Sequence, residues 1–479
     1  MLIRLRVTAM LYRTMALLIS LLWLLSAAVM LAHAAETTAE TALDRYVRKP
    51  DKAYRWTLVE TVPGDGFTTY LVDMTSQSWR NTADVDCTNW THRLVIVKPE
   101  KARAGTAMLF IGGGSNRDRP PRQAGEEIKV LALGTNSVVA HLATVPNQPL
   151  AFCGDGKPRF EDDLIAYTWD KFLTTGDETW IAQLPMTKSA VRAMDTVQAF
   201  LAGPDGGRLK IEQFVVTGAS KRGWTTWLTA AVDRRVVAII PIVIDVLNVR
   251  PSMKHHHAAY GFWAPAIGDY VRHRIPQRMD TPECGALLKI VDPYAYRRRL
   301  TLPKYVVNAT GDQFFLPDSS QFYFGDLPGE KHLRYVPNTD HSLKGSDALQ
   351  SILAFYRAFL GGTPRPSFSW RLASDGSIHV TTKNKPRSVN LWQATAVESR
   401  DFRLETIGPA LKSSPLEDQG GANYVAKVPP PAKGWTAFFV ELVYPSGGRE
   451  PFKFTTSVYV VPDVLPHKDM PLGDEVGGE

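Results

Sequence analysis

The sequence predicts an α/β fold: a mostly parallel, twisted sheet flanked by helices, followed by a smaller all-β region. Three observations predict it. Short continuous apolar runs alternate with segments of helical apolar spacing through the middle of the chain. Strand-like segments with two-residue alternation precede that series. One apolar run ends in a glycine turn, a serine and an immediate helix pattern, "FVVTGASKRGWTTWL" at 214–228. Buried strands that alternate with amphipathic helices imply parallel neighbours joined by crossover helices.

The elements follow in order. The start, "MLIRLRVTAMLYRTMALLISLLWLLSAAVMLAHAAE", has Arg4, Arg6 and Arg13, then an apolar run from Met15 to Leu31, then Ala32-His33-Ala34. A basic end, an apolar centre and an A-x-A site predict a signal peptide over 1–34 and export to the periplasm or beyond. An uncleaved anchor is the competing reading, because the run nears spanning length. No second run of that length follows, so no membrane span is expected after cleavage. Residues 35 to about 50 suit a short linker. From 54 to 98, "TTYLVDMTSQSW" and "HRLVIVKP" alternate like antiparallel strands.

The buried strands come next. "TAMLFIGGG" (106–114), "SVVAHLATVP" (137–146), "IEQFVVTG" (211–218), "VVAIIPIVID" (236–245), "LPKYVVNATG" (302–311) and "HLRYVPN" (332–338) are apolar runs suited to strands covered on both faces. "KSAVRAMDTVQAFLAG" (188–203) places Ala190, Val191, Met194, Val197 and Leu201 on one helical face. Two antiparallel strands before such a series give the layout of an α/β-hydrolase fold, here over 35–363. Residues 246–301 interrupt the alternation with aromatic and basic side chains and no buried strand. Such an insertion suits a lid or substrate wall. A helix pattern ends at Pro364–Pro366. Beyond it, short alternating segments with Gly/Pro/Asn turns predict a β-sandwich of immunoglobulin or fibronectin type over 367–465. Residues 466–479 suit a flexible tail.

Composition limits the function. The 479 residues are 44% apolar and 22% charged, as in globular proteins. The net charge is +7, but Arg4, Arg6 and Arg13 carry three of it. The rest is diffuse, and no basic block interleaved with aromatics argues for nucleic acid. Of the three cysteines, Cys87 and Cys153 are the expected pair and Cys284 the odd one.

The chemistry centres on Ser220. Strand, glycine turn, serine and helix make a nucleophile elbow, although Arg222 stands where the second glycine of G-x-S-x-G belongs and Gly223 comes one later. The acid and the histidine then follow in that order. Asp312 comes just after the strand at 302–311, and His341 just after the last strand. A serine hydroxyl needs a base to take its proton, and the imidazole needs a carboxylate to orient it. Asp245, at the end of another strand, is the alternative acid. Asp318 suits a helix cap. The Lys221 backbone N–H and the Gly113–Gly114 loop are the candidate oxyanion donors. Arg222 and Trp224 are the candidate substrate-proximal residues; Lys221 and Arg222 put two cations near the serine, and one that points inward would suit an anionic group. His255-His256-His257 are adjacent in sequence and share no face, so no metal is expected. No cofactor is called for either.

"GASKRGWTTWLTAAVDRRVVAIIPIVIDVLN", "GDQFFLPDSSQFYFGDLPGEKHLRYVPNTDHSL" and the GGGSN loop together resemble the PhoPQ-activated pathogenicity-related protein family over about residues 40 to 460. The resemblance implies an exported, α/β-hydrolase-like protein, linked by family name to a bacterial virulence response. The elbow alone is similar to glucuronoyl esterases, which act on esters of a sugar acid. The expected function is a serine esterase acting on a small-molecule or carbohydrate ester. The alternatives are a non-catalytic binding or signalling protein on the same scaffold, and a peptidase.

Overall fold

The computed structural model describes residues 40–477. The signal peptide expected over 1–34 lies outside them. Within them, fourteen strands form one hydrogen-bonded sheet. β1 (Arg55–Gly64), β2 (Phe67–Ser78) and β3 (Asn89–Pro99) run antiparallel at one end. The outermost of these, β1, is an additional edge strand beside the two that the alternation predicts.

The parallel centre comprises β4 (Gly105–Ile111), β5 (Val139–Leu142), and, after the small hairpin of β6 (Leu150–Ala151) and β7 (Pro158–Arg159), β8 (Ile211–Ala219), β9 (Val236–Ile242), β10 (Lys304–Ala309) and β11 (Lys331–Val336). Their spatial order is β3-β5-β4-β8-β9-β10-β11. Residues such as Met108, Leu109, Val215, Val216, Ile239 and Val306 are fully buried. Both faces are covered, which is why these strands appear in the sequence as unbroken apolar runs. Helix Gln183–Ala202 packs into one core through Leu184, Met194 and Val197. Helices Glu126–Thr135 and Ala348–Leu360 pack into the other through Ile128, Leu131, Ile352 and Phe355. The architecture is an α/β fold of the α/β-hydrolase kind.

Register sets the rim. Ile111 pairs with Gly218, Ala219 with Ile242, and Ala309 with Val336. The loops after β4, β8, β10 and β11 therefore leave the same edge of the sheet. Open α/β sheets place their ligands at that carboxyl edge.

The C-terminal strands depart from the expected separate sandwich. β12 (Phe368–Leu372), β13 (Ile378–Thr382) and β16 (Asn423–Ala426) form a three-stranded sheet of their own. β14 (Ser388–Ala396), β15 (Lys412–Pro415), β17 (Trp435–Tyr444), β18 (Phe452–Thr455) and β19 (Tyr459–Val461) belong to the central sheet. The join is antiparallel, β11 to β18, at Leu333 and Thr455. Ile378, Leu391 and Phe438 share a core with Ile352 and Val307, so the apolar interior runs across the join.

The tail also departs from expectation. Trp263 N–H donates to Glu475 O at 2.8 Å, and Gly477 N–H to Trp263 O at 2.9 Å. The described part of the tail is thus tied to the 246–301 insertion. Cys87, Cys153 and Cys284 are free thiols. Cys87 donates to Asn89 O and Cys153 to Thr82 O. The loops of Cys87 and Cys153 are hydrogen-bonded neighbours, through Asp86 N–H to Ala151 O at 2.9 Å, but their thiols serve different carbonyls. The expected pair is not formed. Among the described residues, no helix is long and apolar enough to cross a membrane.

Candidate active site

Ser220 sits between β8 and helix Lys221–Val232 at φ 56°, ψ −127°. A non-glycine residue at positive φ is strained, and such strain collects at functional sites. Two contacts hold the turn. Ser220 N–H donates to Ile242 O at 2.8 Å, and Trp224 N–H to Ser220 O at 2.9 Å. The glycines flanking it allow close approach. A Cβ on Gly218 would lie 2.8 Å from Arg222 O, and one on Gly223 would lie 2.9 Å from Ile242 O. The second glycine thus serves the contact between the helix and β9. That explains its position one residue later than the usual motif.

Asp312 and His341 meet. His341 Nδ1 lies 2.8 Å from Asp312 Oδ2. A carboxylate oxygen accepts here, so in the neutral imidazole Nδ1 is the nitrogen that carries the proton and Nε2 the one with the lone pair. That Nε2 is buried and has no hydrogen-bond partner. Backbone contacts fix both loops. His341 N–H donates to Gln313 Oε1 at 3.0 Å, and Phe314 N–H to Asp312 Oδ1 at 2.8 Å. The Phe314 ring lies 4.5 Å from the His341 ring. Phe314, Phe315 and Ser220 line one pocket.

Asp245 goes elsewhere. It accepts from the hydroxyls of Tyr323 at 2.6 Å and Tyr335 at 2.5 Å. It is therefore tied to two tyrosines and not to His341. Burial pushes its carboxyl up to about 7, against the pull of those hydroxyls. A carboxyl that holds its proton more tightly when folded adds stability at low pH. That stability is lost as pH rises from about 4 to about 7. Asp245→Asn is therefore expected to flatten the decline in melting temperature over that interval. Thermal melts of both proteins from pH 4 to 8 check this.

Both cations after the serine are spent on carboxylates. Lys221 Nζ lies 2.7 Å from Asp162 Oδ2 and 3.0 Å from Glu161 Oε2. Arg222 forks onto Glu161 at 2.8 and 2.6 Å, and its Nε donates to Val145 O. Burial alone would raise the Glu161 carboxyl, but Arg222 and Lys221 hold it down at about 2. Arg222 is buried behind the glycine loop, where a Cβ on Gly113 would lie 2.7 Å from its Nη2. It does not line the pocket, so its placement near substrate is not met. Lys221 and Trp224 do line it. Glu161 and Asp162 are the site residues that sequence reasoning missed. They begin a helix far upstream, and no short motif marks them.

The oxyanion candidates lie on the same rim. Lys221 is the first residue of its helix, so its N–H has no intrahelical partner. Gly112 O and Gly113 O accept from Val145 and Thr144 at 3.0 and 2.8 Å, which fixes the loop. Gly114 takes φ 125°, open to glycine. The 246–301 insertion supplies Val246, Val249, Met253, Tyr270 and Met279 to the pocket wall.

Asp318 is not the helix cap expected. Its side chain makes no cap bond, and accepts from Arg400 at 2.7 Å and pairs with His255 at 3.0 Å in a buried cluster. His256 Nε2 accepts from Ala264 N–H at 3.1 Å. Among the described residues, no group of His, Cys, Asp and Glu is arranged to hold a metal.

The chain is similar to several known proteins. In solved structures, an acetyl xylan esterase from Paenibacillus sp. R4 gives a TM-score of 0.46 at 15% identity, over 68% of this chain and 98% of that one. A glucuronoyl esterase from Solibacter usitatus gives 0.40 at 16%, over 65% and 87%. In sequence, Autocrine proliferation repressor protein A of Dictyostelium discoideum is 39% identical over 455 residues, 89% of this chain and 91% of that protein. Residues 43–403 match the family described as PhoPQ-activated pathogenicity-related protein. With the match covering most of the chain, the protein belongs to the PhoPQ-activated pathogenicity-related protein family.

Proposed function

We propose that the protein is an exported serine hydrolase that cleaves carboxylic esters through an acyl-enzyme. One observation carries this reading: His341 is tied to Asp312 by Nδ1, while its buried Nε2 has no partner. A base held in that tautomer is ready to accept the proton of a serine hydroxyl. In the proposed reaction Ser220 Oγ attacks the ester carbonyl and His341 takes its proton. Asp312 orients the ring and stabilises the imidazolium. The Lys221 N–H and the Gly113–Gly114 loop hold the developing oxyanion. His341 then returns the proton to the leaving alcohol, and water releases the acyl group.

A fluorophosphonate probe tests the reading. Labelling at Ser220, lost in Ser220→Ala, is expected. A folded sample that takes up no probe would exclude the mechanism. The name of the Dictyostelium relative favours a second reading, a non-catalytic signalling protein on the same scaffold. That reading predicts no labelling.

Export and a periplasmic or secreted location are part of the proposal. They rest on the 1–34 segment. N-terminal sequencing of protein recovered outside the cytoplasm is expected to begin at Ala35. We also take 367–465 as a β-rich accessory unit borne by the sheet.

A further inference from the structure

The pocket beside Ser220 is apolar, and its wall has little polarity left to offer. Trp224 Nε1 donates to Val291 O. Trp169 Nε1 donates to Gln183 Oε1 at 3.0 Å. The Tyr270 hydroxyl donates to Asp162 Oδ1 at 3.0 Å. The Lys221 ammonium is held by Asp162 and Glu161. Each of these polar groups is satisfied within the protein. The rest of the lining is largely aliphatic and aromatic, including Ile244, Val249, Met253, Met279 and Phe315. The space is small, about 60 Å³. On that measure a site of about 10–15 Å³ holds one water, so the pocket suits about four to six heavy atoms and not a long chain.

Its position matters as much as its size. His341 is not in the wall, and the Phe314 ring lines the pocket while contacting the imidazole. The leaving alcohol must take its proton from His341 Nε2. It therefore departs on the histidine side of Phe314. The other substituent of the attacked carbonyl is the acyl group.

We propose that this pocket receives the acyl half of the substrate and selects a short, uncharged acyl group, acetyl to butanoyl in size. The inference rests on the esterase reading above. In the step concerned, a bond forms between Ser220 Oγ and the acyl carbon while the bond from that carbon to the alcohol oxygen breaks. The serine proton passes through His341 to that oxygen. A carboxylate on the acyl group would enter an apolar pocket whose lining cation, Lys221, is already paired with Asp162 and Glu161, and its desolvation would go uncompensated. A sugar-acid ester, whose carboxyl is the esterified carbonyl itself, would bring an uncharged but bulky and hydroxyl-rich acyl half, which a small apolar pocket receives poorly.

The test uses the full mature chain and nitrophenyl esters that share one alcohol, with acetyl, butanoyl, octanoyl and hemisuccinyl groups. kcat/KM is expected to fall at least about 10-fold from butanoyl to octanoyl, since each methylene is worth about 10-fold or more in a tight pocket. The hemisuccinyl ester is expected to run at least about 100-fold below butanoyl. Met253→Ala is expected to raise the octanoyl-to-acetyl ratio about 10-fold. The native series stands alone if that variant does not fold. Equal turnover at all lengths, or equal turnover of the hemisuccinyl ester, overturns the inference. If Ser220→Ala still abolishes that turnover, the esterase reading survives. No Ser220-dependent turnover of any ester overturns both.

Discussion

Ser220→Ala is expected to lower kcat/KM for a small activated ester by about 10⁴- to 10⁶-fold while leaving the melting temperature unchanged. The loss is large because the nucleophile, base and acid act as one unit. Without the hydroxyl, the remaining turnover comes from oxyanion stabilisation and binding alone. The fold should not notice. The Ser220 side chain makes no capping hydrogen bond, and alanine meets the same backbone strain at φ 56° as serine does. Steady-state kinetics and a thermal melt on the same preparation check both halves. A loss of activity accompanied by a fall in melting temperature would point to folding rather than chemistry.

Arg222→Ala is expected to destabilise the protein by about 2–3 kcal/mol and to reduce turnover as well. The guanidinium satisfies Glu161 and Val145 O together, and it lies against Gly113. Truncation leaves Val145 O without that donor and Glu161 without its fork. The Glu161 side chain is 40% exposed, so solvent softens the penalty below that of a fully buried pair. Arg222→Lys is expected to recover little, since an ammonium cannot reproduce the planar fork. Denaturant titration measures the stability. Wild-type stability in Arg222→Ala would show that the ion pair is idle.

Much of the fold was legible because burial on two faces leaves a direct mark on sequence. β4 and β9, and the middle of β8 and β10, are apolar runs, and the chain folds them side by side with β11, where Lys331, His332 and Arg334 interrupt the pattern. Ser220, Asp312 and His341 were legible as positions, each just past such a strand. The structure joins Asp312 to His341, while His341 Nε2 makes no hydrogen bond to Ser220. Other features had no local mark. The pairing of Lys221 and Arg222 with Asp162 and Glu161 joins segments some sixty residues apart, so in sequence the basic pair after the serine looks free to meet an anionic substrate. Asp318 precedes a short turn that a cap would suit, but Arg400 from beyond the α/β region claims its carboxylate. Asp245 ends a strand as an acid should, yet Tyr323 and Tyr335 enclose it. The junction of β11 with β18 rests on a register of one bridge pair, which no alternation pattern can announce.

That junction bears on how the chain can be dissected. Leu404 N–H donates to Gly311 O at 3.0 Å, and Asn338 exchanges two hydrogen bonds with Leu411 at 3.0 and 2.9 Å. Segments from beyond residue 400 thus brace the turns that carry Asp312 and His341. A gene shortened after residue 363 would strip that bracing and leave the β11 flank bare, inviting sticky self-association. No self-sufficient unit bearing the candidate site can be cut from the front of this polypeptide; its last hundred residues are scaffolding for that site, not cargo.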